Sequence, residues 1–479
     1  MKIYNLKNLI TTTGIKFSAL FSLVSCDVNT DLNIDEKRPS SLPSENLLAM
    51  GVNQEFYYIH TGSVNFNNYR FFTQMWTEVQ YTQETNYNLV TRAQPRAHFN
   101  RMYVYALNNF ENAKISLTSE ANTDSQVLNN KWATLELSQI AVWENVVDTF
   151  GNVPYTEALN AVDNKSPKYD DAKAIYVSLL SRIDAAIAKI TTTKSGYTTG
   201  DLVYKGNMTK WKKFANSLKL RLAINLADVD PSLSKTAAES AVAGGVITSD
   251  ADSYSLTFDG NTFTNPLYDD LVASGRNDFL PSALIVNFMN TTSDPRRSVY
   301  FTPIGGVYKG GVYGTLNNYA NFSHVNPSYT TATGPAKLLT ATEVAFLTAE
   351  AAARGYSVGG TASALYTAAI TASMNENGVS AGDISAFLTA NPYDAANWKK
   401  SIGNQAYIAL WNSPFAAWNF TRRLDYPVLP TPSGSQVGGV PVRMPYSDQE
   451  YLVNATNTNA AATAIGGDKA TTKLFWDKF

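Results

Sequence analysis

Apolar residues recur at helical spacing through the first half of the chain, and that periodicity limits the fold more than any other feature. Ile175, Leu179, Ile183, Ile187 and Ile190 follow one another every three or four residues, which makes one face of a helix apolar. Trp132, Leu135, Val142 and Val146 form a second stripe with Gln139 in register, and Trp211, Phe214, Leu218 and Leu222 form a third. The end signals agree with the stripes. Asp170 and Asp171 precede the isoleucine stripe, where acidic side chains suit a helix N-terminus. Gly151-Asn152-Val153-Pro154 closes the tryptophan stripe with a glycine stop and a proline just beyond. The pattern predicts mostly helix over 43–230. It predicts helix again over 339–354, where Thr340 and Glu343 have capping-box spacing, then over 362–377 and between 394 and 423.

The intervening stretch is different. From 249 to 335, Gly, Asn, Thr, Tyr and Phe dominate and helical periodicity is lost, so loops with short strands are expected. A segment of that length without regular structure is usually functional. The expected organisation is a helical scaffold over 43–248 and 336–425, a loop-rich ligand region over 249–335 and a loop-rich close over 426–479. The predicted helices pair as 98–118 with 124–149, 170–192 with 207–228, 340–354 with 362–377, and 394–411 with 414–423. Ala106–Phe110 and Trp132–Leu135 match short pieces of a tetratricopeptide unit. The pairs do not repeat at a constant ~34 residues, so any repeat is degenerate.

Charge and rare residues exclude several functions. The formal net charge is −2 with a pI near 6.0, which argues against nucleic-acid binding. The three histidines, His60, His98 and His324, lack metal-ligand spacing, and one cysteine cannot build a thiolate site. No motif asks for a metal or a cofactor. The cysteine, Cys26, has a specific context. Lys2, Lys7 and Lys16 precede a short apolar run over 17–24, then Ser25. This describes a secretory signal peptide over 1–25 rather than a membrane span. Leu23-Val24-Ser25-Cys26 is similar to a bacterial lipobox, which implies cleavage before Cys26 and lipidation of that residue. Asp27, Asp31, Asp35 and Glu36 follow, so 26–42 reads as an acidic, flexible tether.

Several segments, in order, resemble one family. SCDVNTDLNIDEKRPSSLPSENLL, WKKFANSLKLRLAINLA (Trp211–Ala227), GRNDF (Gly275–Phe279), the Asp294-Pro295-Arg296 triplet, LTATEVAFLTAEAAARG, PVRMPYSDQEYLVN and KLFWDKF are similar to the SusD/RagB nutrient-binding outer-membrane lipoproteins of Bacteroidetes. The resemblance implies a mostly α fold of about four tetratricopeptide-like helix pairs. It implies a surface-exposed, lipid-anchored protein that captures an oligosaccharide, or in some members a peptide. It also implies a partner, a SusC-like TonB-dependent β-barrel that receives the ligand.

Sugars present apolar faces and hydroxyl edges, so their sites mix aromatic rings with amide, carboxylate and guanidinium groups. Two stretches have that mixture. Asn65–Asn88 carries Trp76, Tyr81 and Tyr87 beside Gln80, Gln83 and Asn86, and the loop region carries Arg276, Asn277 and Asp278, then Tyr308, Tyr313 and Tyr319. The expected ligand residues are Trp76, Tyr81, Asn86, Tyr87, Arg276, Asn277, Asp278, Tyr308 and Tyr313. Two enzyme readings compete. Gly355-Tyr356-Ser357-Val358-Gly359 spells G-x-S-x-G, but a nucleophile elbow follows a strand and this one follows a helix. A cell-surface glycosidase would need two carboxylates across a cleft, with Asp269, Asp270 and Asp278 as the first suspects. Neither makes catalysis the expectation. The Asp163–Asp171 stretch lacks EF-hand spacing and reads as a solvated loop.

Overall fold

Helix caps and stripes set the scaffold. A computed structural model describes residues 42–62, 66–120 and 124–479; the expected signal peptide, Cys26 and the expected tether up to residue 41 lie outside them. Along the chain run α1 (Ser44–His60), α2 (Asn108–Leu117), α3 (Ser125–Phe150), α4 (Ala172–Lys189), α5 (Met208–Asn225) and α6 (Pro231–Ala243). Inside the insertion lies α7 (Ala283–Thr291), and after it come α8 (Ala341–Ala353), α9 (Ala362–Glu376), α10 (Ala381–Ala390), α11 (Trp398–Ala409) and α12 (Pro414–Leu424). Asp171 caps α4 by accepting from the Ala174 amide, and Gly151 ends α3 at φ 86°, a conformation glycine adopts without penalty. At α8 only half of the capping box forms. Thr340 accepts from the Glu343 amide at 3.0 Å, but the Glu343 carboxylate turns instead to Arg221, with Nε 2.7 Å away.

The helices pack in pairs, one helix out of step with the sequence expectation at the start. α1 lies on α2 and the π-helical turn Arg101–Leu107 before it; α3 pairs with α4, α5 with α6, α8 with α9 and α11 with α12. α1, which packs early in the stack, is absent from the predicted pairs, and this shifts the first two. At the centre is α3, whose residues 133–150 are buried throughout. Its buried charged side chains survive because each meets a partner on another element. Glu136 bonds Arg182 at 2.5 Å, Glu144 bonds Arg221 at 2.9 Å, and Asp148 takes Trp476 Nε1 at 3.0 Å.

The insertion begins and ends at one place. Strand β1 (Trp76–Glu78) lies upstream of it. Strand β2 (Tyr254–Thr257) near its start pairs antiparallel with β4 (Pro335–Leu339) at its end, while β3 (Phe279–Pro281) inside it pairs with β1. The expectation of loops and short strands misses α7, where Ile285, Val286 and Met289 turn inward. Nine residues are too short to show periodicity against an Asn- and Thr-rich background. The C-terminal segment likewise contains a helix, Ala455–Ala464. The G-x-S-x-G stretch is the turn between α8 and α9, with Gly355 at φ 84°, and has a helix where an elbow needs a strand. Pro43–Phe479 forms one unit, and no helix among the described residues is long and apolar enough to cross a membrane.

Candidate functional site

Three residues of β-ladder bring the two distant candidate stretches together. Trp76 faces Pro281, Thr77 faces Leu280 and Glu78 faces Phe279. The Val79 amide continues the ladder by donating to the Asp278 carbonyl at 2.8 Å. A third segment joins them: the Asn317 amide donates to the Val79 carbonyl at 2.9 Å, and Asn317 Nδ2 donates to the Glu78 carbonyl at 3.0 Å. Beyond the strand ends this leaves an open pocket of about 590 Å³, walled by Tyr81 and Gln80 on one chain segment, Arg276, Asn277 and Asp278 on the second, and Asn317, Asn318 and Tyr319 on the third.

The pocket has the two surfaces a sugar needs. Tyr81 is 53% exposed, with the Arg276 guanidinium 5.8 Å from its ring centroid. Tyr319 is stacked on His324 at 3.9 Å and 12°, so its ring is held in orientation from behind. Arg276 Nε donates to Asp278 Oδ2 at 2.8 Å. Amide groups of Gln80, Asn277 and Asn318 share the rim. Below it Glu78 is buried, accepting from the Thr85 amide and hydroxyl at 3.0 and 2.8 Å. Burial and the neighbouring Glu84 carboxylate push the Glu78 pKa up.

The nine expected ligand residues divide. Tyr81, Arg276, Asn277 and Asp278 meet in this pocket. Tyr313 lines a second, more apolar pocket of about 570 Å³ between α7 and Pro430–Pro432, and its hydroxyl donates to the Phe71 carbonyl at 2.6 Å. Tyr308 lines neither pocket, and Arg297 covers its ring at 4.6 Å. Trp76 and Tyr87 are corrected to core residues. Trp76 is 1% exposed and stacked on Trp411 at 5.6 Å, which leaves no ring face for a ligand. Tyr87 is fully buried at φ 60°, its hydroxyl held by Gln74 Nε2 at 2.9 Å, and burial pushes its phenol up to about 12. Asn86 acts as a strut: its Nδ2 donates to the Thr82 and Gly314 carbonyls, each at 2.8 Å, and its backbone carbonyl accepts from the Gln436 backbone amide. Asn317 and Asn318 are absent from the expected set. The run Leu316-Asn317-Asn318-Tyr319 is their one sequence signal, and only the contact with β1 gives it a place.

A family model described as "Starch-binding associating with outer membrane", SusD-like, matches residues 36–447. The chain belongs to the SusD-like family. Solved structures support the assignment. A chitin-binding protein superposes with TM-score 0.81 at 26% identity, covering 91% of this chain and all of its own. A SusD homologue from Bacteroides uniformis gives 0.80 at 26% identity over 90% and 99% of the two chains. A chitin-binding SusD homologue from Flavobacterium johnsoniae gives 0.74 at 25% over 91% and 97%. A comparison with curated protein sequences finds no match. The mostly helical SusD-like fold expected from the resemblance is therefore the fold observed. The SusD-like family is one of binding proteins associated with the outer membrane, and the pocket here lies on its loop-rich insertion beside β1.

Proposed function

We propose that this SusD-like chain is a lipid-anchored, surface-exposed outer-membrane protein that captures an oligosaccharide and delivers it to a SusC-like TonB-dependent β-barrel. The observation that carries the reading is the juxtaposition of Tyr81 and Tyr319 with the amide and Arg276–Asp278 rim. Apolar ring faces and fixed donors and acceptors suit a carbohydrate. Relatives at about a quarter identity are named for chitin binding and the family for starch, so chitin- and starch-type oligosaccharides are the first candidates. No bond is made or broken in this role. Cys26 supplies the tether, and acyl chains hold it because each buried CH₂ contributes about 0.8 kcal/mol.

Two measurements test the proposal. Titration calorimetry with chitohexaose, maltoheptaose and a peptide mixture should give saturable binding to a sugar; binding only to peptides would move the ligand to that class. Gentle detergent extraction from native membranes, followed by mass spectrometry, should bring down a large TonB-dependent barrel at near-equal amount. Recovery of the protein alone, or with soluble hydrolases, would remove the delivery role.

A further inference from the structure

We infer that Asp278 makes this pocket selective for neutral glycans over those carrying carboxylate or sulfate groups. The inference rests on the oligosaccharide reading of the site. Among the described lining residues, Arg276 and Asp278 alone carry a formal charge. A half-exposed guanidinium is well suited to recognise carboxylates and sulfates, because its planar fork donates two parallel hydrogen bonds. In this pocket one donor of that fork is already taken and a carboxylate stands beside the rest. Nε is held by Asp278 Oδ2 at 2.8 Å, and the guanidinium lies 5.8 Å from the Tyr81 ring centroid.

The strand ladder fixes the backbone that carries this carboxylate. The Asp278 carbonyl accepts from the Val79 amide at 2.8 Å as a continuation of the β1–β3 ladder, and the Asp278 side chain is 18% exposed while that of Arg276 is 50% exposed. An acidic sugar reaching Arg276 would bring a second negative charge beside Asp278, at a place only partly screened by water. A neutral sugar leaves the pair intact and bonds the amides of Gln80, Asn277 and Asn318 through its hydroxyls. Discrimination of this kind works by repelling the wrong ligand as well as by attracting the right one. The pair itself contributes little to folding, since Arg276 is half in water.

The test uses the full chain in detergent and titrates two neutral probes, chitohexaose and maltoheptaose, against two acidic ones, hexagalacturonate and a chondroitin sulfate hexasaccharide. Wild type should bind a neutral probe at least about tenfold more tightly than either acidic one. Asp278→Asn should shift the acidic-to-neutral affinity ratio by about tenfold toward the acidic probes, and high salt or the double variant R276Q/D278N should erase the shift. If D278N lost its melting transition, Asp278→Ser would give the same ratio. Preference of the wild type for an acidic glycan, or an unchanged ratio in a folded D278 variant, overturns the inference and leaves the glycan reading standing. Binding of no glycan at all removes the glycan reading, and the inference goes with it.

Discussion

Tyr81 and Trp76 are close in sequence and opposite in role, which individual substitutions can separate. Tyr81 is more than half exposed, so Tyr81→Ala should leave the melting temperature within about 2 °C. It should weaken oligosaccharide binding by about tenfold as a stacking face is lost, read by titration calorimetry. Trp76→Ala empties a site packed by Trp411 and Phe279 and should cost about 3–5 kcal/mol in urea unfolding. A Tyr81 variant with wild-type affinity would remove that ring from the site. His98 makes a pH prediction. Its Nε2 sits 2.9 Å from Asn145 Oδ1 and 3.1 Å from the Tyr69 hydroxyl, and burial lowers its pKa to about 4. The unfolded ring takes up a proton near pH 6.5 and the folded ring only near 4. The stabilisation is thus complete above about pH 6.5 and is lost as pH falls toward 4, to the extent of about 3 kcal/mol. The stability advantage of wild type over His98→Gln should shrink across that window, and an advantage constant from pH 7 to 4 would contradict the buried neutral ring.

At the scale of elements, a few buried polar groups tie the pairs together. Arg221 on α5 bonds Glu144 on α3 and Glu343 on α8, and its Nη2 also reaches the Leu338 carbonyl on β4 at 2.6 Å. Burial raises the pKa of both carboxylates, and the Arg221 charge opposes that rise. Arg221→Met strands two carboxylates in the interior and should cost about 3–5 kcal/mol. The loss should be nearly independent of salt because the group is shielded from water. Denaturant melts at two ionic strengths check this; a loss below about 1 kcal/mol would mean the helices hold together without the cluster. The same contact explains why the capping box closes on one side only. Glu343 gains a full positive charge at Arg221 in place of one backbone amide.

For the whole molecule, the proposed tether at Cys26 and the pocket are separable, and one substitution tests this. Cys26→Ala should move the protein from the membrane fraction to the soluble fraction on immunoblots, while oligosaccharide affinity stays at the wild-type value. Retention of the variant in the membrane would rule out Cys26 as the anchor. The β2–β4 ladder joins the two ends of the insertion, and the β1–β3 ladder ties the pocket segments to the chain around Trp76–Glu78.

The helical scaffold is legible from the residues alone, because stripes such as Ile175 to Ile187 and caps such as Asp171 and Gly151 are local signals that need only neighbouring residues. The sequence also pointed to two of the three segments that line the pocket, since aromatic and polar residues cluster visibly around Tyr81 and Arg276. Tertiary structure alone decided which of them face outward. Trp76 is core because Trp411, far along the chain, covers its ring. Asn86 is a strut because Gly314 and Gln436 come to it. Asn317 and Tyr319 join the pocket through contact with a three-residue strand. A three-residue strand or a nine-residue helix carries too little periodicity to be read locally, and the side on which a ring is buried depends on partners distant in sequence.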